Sequence, residues 1–583
     1  MSRVGRACAM AAAFALLAGC SSLPSLPSFE LPRFELPRLP AIPPLPAVAP
    51  IIFLPQTICA SLPGTLLPPA DLGLPTRRVS IDSAELLAAS QLRVADRSPT
   101  PAGAITPAMP QRCKLLGHIE PQDSNAPVIN FQINLPVRWN GRSVQYGGGG
   151  FNGVLISGEG LLPAARYEQA SPLAQGYVTY GTDSGHQNNP GEPPQAFAMN
   201  DEALVNFAHG SYKKVHDVAV AVMKRVYGQP PHKMYFVGSS EGGREGLTMA
   251  QRYPQDFDGI FSRVPVIAWT GLQHAGLRDG LALTNGGWID AAHVKLVQDA
   301  VLAACDSADG AVDGIVSDPV ACRSRFDVTK LLCTGAANDR CLTEPQVRAV
   351  QTLQSPLDFG MELANGWHGY PGRGPSGENT PASGPAGGWQ AWWTGSAPPA
   401  FPPVPANGIA WFYGAGAIQY FYARDPKADL RSYRMADHAQ RVGEISALMD
   451  STDPDLSAFR AHGGKLIVLE NLGDYAQSPY AGIGYHDAVV QRMGQGTVDG
   501  FFKLFTAPNV DHVGTGAPAN ADLFAALVDW VERGHAPANL QLVEQDAKPP
   551  FAVRRSRPLC EWPQVPRYLG GELNAAGSFA CAQ

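Results

Sequence analysis

The chain has 583 residues, 45% of them hydrophobic and 16% charged, with a net charge of -7. That length allows a large core and more than one domain, and an acidic balance without a basic stripe argues against a nucleic-acid partner. Glycine (61) and proline (53) make up almost a fifth of the chain, which implies long irregular segments around a regular core.

Arg3 and Arg6 precede a short apolar run from Ala7 to Ala18. The run is too short to span a membrane and reads as a signal peptide. Leu17-Ala18-Gly19-Cys20 resembles a bacterial lipobox, in which Cys20 becomes the lipidated first residue of the mature protein. Ser21 in place of Asp fits sorting to the outer membrane; an ordinary secretory peptide is the alternative. The expectation is an exported protein, outer-membrane lipoprotein or secreted, that meets a membrane only through an N-terminal lipid anchor. Residues 21–55 repeat proline every few positions, and Phe29-Glu30-Leu31-Pro32-Arg33 recurs at once as Phe34-Glu35-Leu36-Pro37-Arg38. Proline removes donors and favours extended polyproline II, so this stretch reads as a semi-rigid spacer.

Along the body, Val128–Leu135 largely alternates apolar and polar residues like a half-buried strand. Ser143–Tyr146 is a second strand candidate, ending in Gly147-Gly148-Gly149-Gly150, and Tyr177–Tyr180 is a third. Val215, Val218, Val222 and Val226 have nearly helical spacing within 211–227, and Gly228 ends that helix. Met234–Val237 predicts a buried strand running into Gly238-Ser239-Ser240-Glu241-Gly242, with a helix from Glu241 to Tyr253 behind it. Seven of the ten tryptophans then fall between 269 and 411, amid dense glycine and proline. Strand periodicity returns at Lys465–Leu469 and Phe501–Phe505, followed by a helix from Ala521 to Arg533 with Asn520 placed to cap it. The organisation expected is an α/β-hydrolase core of 56–265 and 456–583, interrupted by a lid at 266–455, after a signal peptide at 1–20 and the spacer at 21–55.

Strand, sharp turn and helix are the setting of a nucleophile elbow. The frame selects Ser240, which has Gly238 and Gly242 two residues away on either side. Past the strand at 465–469 comes Asp474; past that at 501–505 comes His512. Both sit beyond C-terminal strand ends, where α/β sheets build sites, and the order Ser, Asp, His is that of α/β-hydrolases. His512 is the expected base and Asp474 its orienting acid, with the adjacent Asp511 a rival. Oxyanion donors are expected from the Glu241 N–H and from the Gly147–Gly150 run. No Lys-Ser/Thr follows that run, which argues against a phosphate loop.

Eight cysteines follow the first twenty residues: Cys305/Cys322, Cys333/Cys341 and Cys560/Cys581 are close pairs, leaving Cys59 and Cys113 for each other. No CxxC occurs, so the set reads as disulfides in an oxidising compartment. Within 306–315, Asp306, Asp309 and Asp313 lie on a glycine-rich loop whose hard oxygen donors suit a structural Ca²⁺, without the spacing of an EF-hand.

These motifs together resemble the tannase/feruloyl esterase family, which includes hydrolases of mono(2-hydroxyethyl) terephthalate. The resemblance runs from about Cys59 to Cys581 and is most specific at Tyr235–Gly246, at Asp306–Ile315 and at Arg557-Pro558-Leu559-Cys560. It implies a Ser240–Asp474–His512 triad, oxyanion donors at Gly150 and Glu241, and Ca²⁺ on Asp306, Asp309 and Asp313 with the carbonyls of Ala311 and Ile315. It also implies the four disulfides above, a small aromatic ester as substrate, and Trp392 as a lid residue against it. The expected reaction is hydrolysis of aromatic-acid esters of feruloyl type; terephthalate-monoester or gallate-ester hydrolysis and a non-catalytic ligand-binding lipoprotein are the alternatives. Two departures stand out. Ser239 and Val513 occupy positions where the family typically has a cysteine pair. No Arg or Lys lies between Trp393 and Ala423 to pair with a substrate carboxylate, leaving Arg424 as the nearest cation.

Overall fold

A computed structural model describes residues 52–54, 56–96, 101–380 and 387–583. The expected signal peptide, Cys20 and most of the expected spacer lie outside the described residues. The spacer ends sooner than the sequence suggests: Ile52–Phe53 pairs with Arg138–Trp139, and Leu54 is buried.

One mixed sheet of eleven strands organises the body. In chain order the strands are β1 (Leu66–Leu67), β2 (Arg78–Leu87), β3 (Arg112–Glu120), β4 (Ile129–Pro136), β5 (Arg142–Tyr146), β6 (Val178–Thr182), β7 (Lys233–Ser239), β8 (Gly259–Arg263), β9 (Lys465–Asn471), β10 (Phe502–Ala507) and β11 (Cys560–Glu561). Across the sheet they run β11-β10-β9-β8-β7-β5-β6-β4-β3-β2-β1. The middle, from β10 to β6, is parallel, and both flanks are antiparallel.

Parallel strands are covered on both faces and therefore read as continuous apolar runs. In β7, Phe236 packs with Leu247 and Ile260 on one side, while Tyr235 and Val237 pack with Phe524 and Leu527 on the other. The helices that cover these faces include α1 (Ser211–Tyr227), α2 (Glu241–Arg252) and, at the C-terminal end, the helix Leu523–Arg533. Gly228 stops α1 at φ 78°, as expected of a left-handed C-terminal glycine.

Two readings change. Two polar residues of β4 are not solvated: Gln132 and Asn134 are buried and bonded to each other, and Asn134 Nδ2 also donates to Thr179 Oγ1 at 3.0 Å. The last helix starts at Leu523, not Ala521, and its cap is Asp522, whose carboxylate accepts the Ala525 N–H. Asn520 instead donates to the Ala165 carbonyl.

The chain leaves the sheet after Arg263 and returns at Lys465 beside the same strand, since β8 and β9 pair from Gly259–Lys465 to Arg263–Leu469. Among the described residues, the segment between them adds no strand to the large sheet. It contributes α3 (Trp269–Ala282), α4 (Ala291–Cys305), α5 (Gly388–Trp392) and α6 (Ile409–Ala417), with α3 and α6 packed together.

Candidate active site

The turn between β7 and α2 holds Ser240 at φ 62° and ψ -123°, a strained conformation of the kind found at nucleophile elbows. Its glycine frame is steric. A Cβ on Gly238 would stand 2.1 Å from the Gly242 carbonyl oxygen, and one on Gly242 would stand 2.6 Å from that of Gly148. The Ser240 N–H donates to the Arg263 carbonyl at 3.0 Å, which anchors the turn to β8.

Ser240, His512 and Asp474 meet in one chain of hydrogen bonds. Ser240 Oγ lies 2.8 Å from His512 Nε2, and His512 Nδ1 lies 2.6 Å from Asp474 Oδ2. Asp474 can only accept when ionised, so Nδ1 carries the proton and Nε2 is free to take one from Ser240. The second oxygen of Asp474 accepts the N–H groups of Ala476 and Gln477 at 2.8 and 3.1 Å. Asp511 does not reach the imidazole: its Oδ1 accepts the N–H groups of Val513 and Thr515, folding its own loop.

The glycine run faces this group. Gly150 takes φ 59°, and neither its N–H nor that of Glu241 has an acceptor among the described residues. The loop is pinned by residues the sequence reading passed over. Glu245, one turn into α2, accepts the Gly148 N–H at 2.9 Å through one oxygen. Its other oxygen accepts from Asn152 at 2.7 Å and Tyr212 at 2.6 Å. Asn152 in turn accepts the Gly149 N–H at 2.6 Å. Arg244 ties α2 to the inserted segment, donating to Glu241 and to the Met449 carbonyl. Burial pushes the Glu241 carboxyl above its ordinary range, against the pull of Arg244.

A cavity of about 260 Å³ opens onto Ser240. Its wall comes from both parts of the chain: Gly150 and Phe151 from the core, and Trp269, Leu272, Trp392 and Tyr413 from the insertion. Trp392 stands edge-on to the His512 ring with centroids 4.9 Å apart. Among the described residues, no Lys or Arg lines this cavity. Arg424 is directed elsewhere, pairing with Asp201 at 2.5 Å and donating to the Met199 carbonyl at 2.7 Å.

The family model for tannase and feruloyl esterase matches residues 113–582. The chain belongs to that family. An uncharacterised esterase of Agrobacterium fabrum is 35% identical over 544 residues, covering 90% of this chain and 93% of that protein. Mono(2-hydroxyethyl) terephthalate hydrolase of Piscinibacter sakaiensis is 31% identical over 547 residues, covering 83% and 87%. In fold, the chain is similar to feruloyl esterase B from Aspergillus oryzae, with a TM-score of 0.70 at 22% identity over 90% of this chain and all of that one. As a member of the tannase and feruloyl esterase family with an α/β-hydrolase-like fold, the protein is a carboxylic ester hydrolase.

All four disulfides form: Cys59–Cys113, Cys305–Cys322, Cys333–Cys341 and Cys560–Cys581. They fit an exported member of this family. Ser239, where the family typically has a cysteine, instead accepts a hydrogen bond from Arg263 Nη1 at 3.4 Å.

The acidic loop lies between α4 and the C-terminal tail. Asp306 accepts the Asp313 and Gly314 N–H groups, Asp309 accepts from Ala311 N and Ser317 Oγ, and Asp313 pairs with Arg557. Burial, with Asp313 and Asp306 adding like charge, raises the Asp309 carboxyl. The Ala311 and Ile315 carbonyls belong to buried residues, and no donor among the described residues reaches them. Hard oxygen donors with two orphaned carbonyls fit a Ca²⁺ ion. These carboxylates do not converge as a close cluster; among the described residues the trio that does, His216, Asp217 and Asp256, already holds Lys213 on both acids.

Proposed function

We propose that this protein hydrolyses esters of uncharged aromatic acids, feruloyl-type esters first among them, through an acyl-enzyme on Ser240. The wall of the cavity carries this reading. Phe151, Trp269, Trp392 and Tyr413 suit an aromatic acyl group, and among the described residues no Lys or Arg lines the cavity to compensate a second carboxylate. Terephthalate monoesters are therefore disfavoured. At about 260 Å³ the space suits one aromatic ring rather than a larger polyphenol.

His512 Nε2 takes the Ser240 proton as Oγ attacks the ester carbonyl. The oxyanion lies against the N–H groups of Gly150 and Glu241, whose donors are fixed before substrate arrives. His512 then gives its proton to the leaving alcohol, and water repeats the sequence on the acyl-enzyme. Asp474 holds the imidazole in the tautomer that can accept from serine. The catalytic core is assigned to 56–265 and 456–583 and the lid to 266–455.

Ca²⁺, held by Asp306, Asp309 and Asp313 with the Ala311 and Ile315 carbonyls, has a structural role in this reading. It would supply charge that lets three carboxylates share one loop. Export is read as ending in lipidation of Cys20; the mass of the mature protein, with or without an acyl chain on Cys20, decides this.

The substrate reading is tested by kcat/KM for methyl ferulate, methyl gallate and mono(2-hydroxyethyl) terephthalate. Methyl ferulate is expected to exceed the terephthalate monoester at least about tenfold, the scale of one buried uncompensated polar contact. A preference for the monoester would overturn it.

A further inference from the structure

Arg263 ends β8 and stands beside Ser239 in the sheet register. Its side chain is buried, with the residue 7% exposed. On one side Nη1 donates to Ser239 Oγ, next to the nucleophile. On the other, Nη2 lies so near the His512 loop that a Cβ on Gly514 would be 3.0 Å from it. Nε has no partner. The guanidinium therefore spans the gap between the nucleophile turn and the loop of the base, where no covalent link joins Ser239 and Val513.

The charge has a setting too. Asp511, Asp474, Glu470 and Tyr167 lie near enough to Arg263 to act on its charge. Asp511 Oδ2 and Glu470 Oε1 are buried without hydrogen-bond partners. Arg263 forms no ion pair with any of them, so it does not act as one half of a closed salt bridge. A buried arginine without a paired carboxylate is a poor stabilising device. It is well placed to set the field around Asp474, which binds His512, and around Asp511 on the adjoining loop.

We propose that Arg263 is a positioning residue of the triad, joining the Ser239 turn to the 511–514 loop and offsetting the negative charge of Asp474 and Asp511 around His512. This rests on Ser240, His512 and Asp474 acting as proposed above. Removing the cation would favour the imidazolium form of His512, which cannot accept the serine proton. The acid limb of the rate profile would then move to higher pH.

The test is the pH profile of kcat/KM for methyl ferulate in the parent, Arg263→Gln and Arg263→Lys, with a separate sample of the parent treated with a fluorophosphonate to show that Ser240 reacts. In Arg263→Gln the acid limb should rise by about half a unit or more, with kcat falling and KM nearly unchanged. Arg263→Lys keeps the charge but loses the two-sided reach; its limb should stay with the parent while kcat/KM falls several-fold. A Gln variant with the parent's limb, or a Lys variant shifted as far as Gln, would overturn the proposal. If Arg263→Gln does not fold, Lys decides alone: an unmoved limb with reduced rate supports the proposal, and a parent-like rate or a shifted limb overturns it. A parent that takes no label would instead overturn the triad reading.

Discussion

His512 and Asp474 are joined by a 2.6 Å hydrogen bond, and the carboxylate oxygen facing away from the ring is already claimed by two backbone N–H groups. In Asp474→Asn the amide oxygen is needed for those N–H groups, so the NH₂ must turn toward His512. That forces the proton onto Nε2, the wrong nitrogen. Activity should fall by about 10⁴-fold in kcat, the scale seen when a triad aspartate becomes asparagine, with little change in melting temperature. Steady-state kinetics with methyl ferulate checks this.

Glu245 holds the glycine loop through Gly148, Asn152 and Tyr212. Glu245→Gln replaces one acceptor by a donor, and no arrangement of the amide serves all three partners. The expected result is a kcat loss of about 10- to 100-fold with a smaller change in KM, as when an oxyanion donor is misplaced.

Trp392 packs on His512 and lines the cavity. Trp392→Ala should lower kcat/KM for methyl ferulate by about tenfold or more, through lost aromatic contact. The loss for p-nitrophenyl acetate, whose acyl group does not reach that wall, should be smaller. Equal losses for both esters would show that Trp392 acts only on the imidazole.

Removal of Ca²⁺ is a stability experiment. A ligand bound only to the folded chain raises the melting temperature, so chelator should lower it by several degrees, as expected by mass action. Asp309→Ala should start lower and be indifferent to chelator. An unchanged melting temperature in the parent would remove Ca²⁺ from this loop.

His216 is buried against Phe257, with Tyr180 Oη 3.1 Å from Nδ1, and burial pulls its pKa down to about 4. The folded state holds it neutral while the unfolded chain protonates near 6.5. It therefore takes away stability progressively as pH falls from about 6.5 to about 4. His216→Gln should lose less stability than the parent across that window; denaturant unfolding at pH 7 and pH 5 measures the difference.

The nucleophile turn is legible in sequence because its constraints are local: Gly238 and Gly242 are fixed by contacts within ten residues or with the adjoining glycine loop. His512 and Asp474 are legible because strand ends in an α/β sheet line one edge. Other features are hidden for physical reasons. β2 carries a register shift between Ile81 and Ser83, which breaks the alternation that would mark it as a strand. The polar face of β4 is buried because Gln132 and Asn134 satisfy each other, a pairing that periodicity cannot reveal. Asp522 and Asn520 are both good caps, and only the path of the backbone decides between them. Glu245 and Arg263 act on partners brought near by the fold, so neither carries a spacing signal.

The most direct measurement is the intact mass of the mature protein after reaction with a fluorophosphonate, with the modified peptide sequenced. One adduct on Ser240 is expected, absent in Ser240→Ala and slowed in Asp474→Asn. No adduct, or an adduct that persists in Ser240→Ala, would contradict a serine esterase built on Ser240, His512 and Asp474.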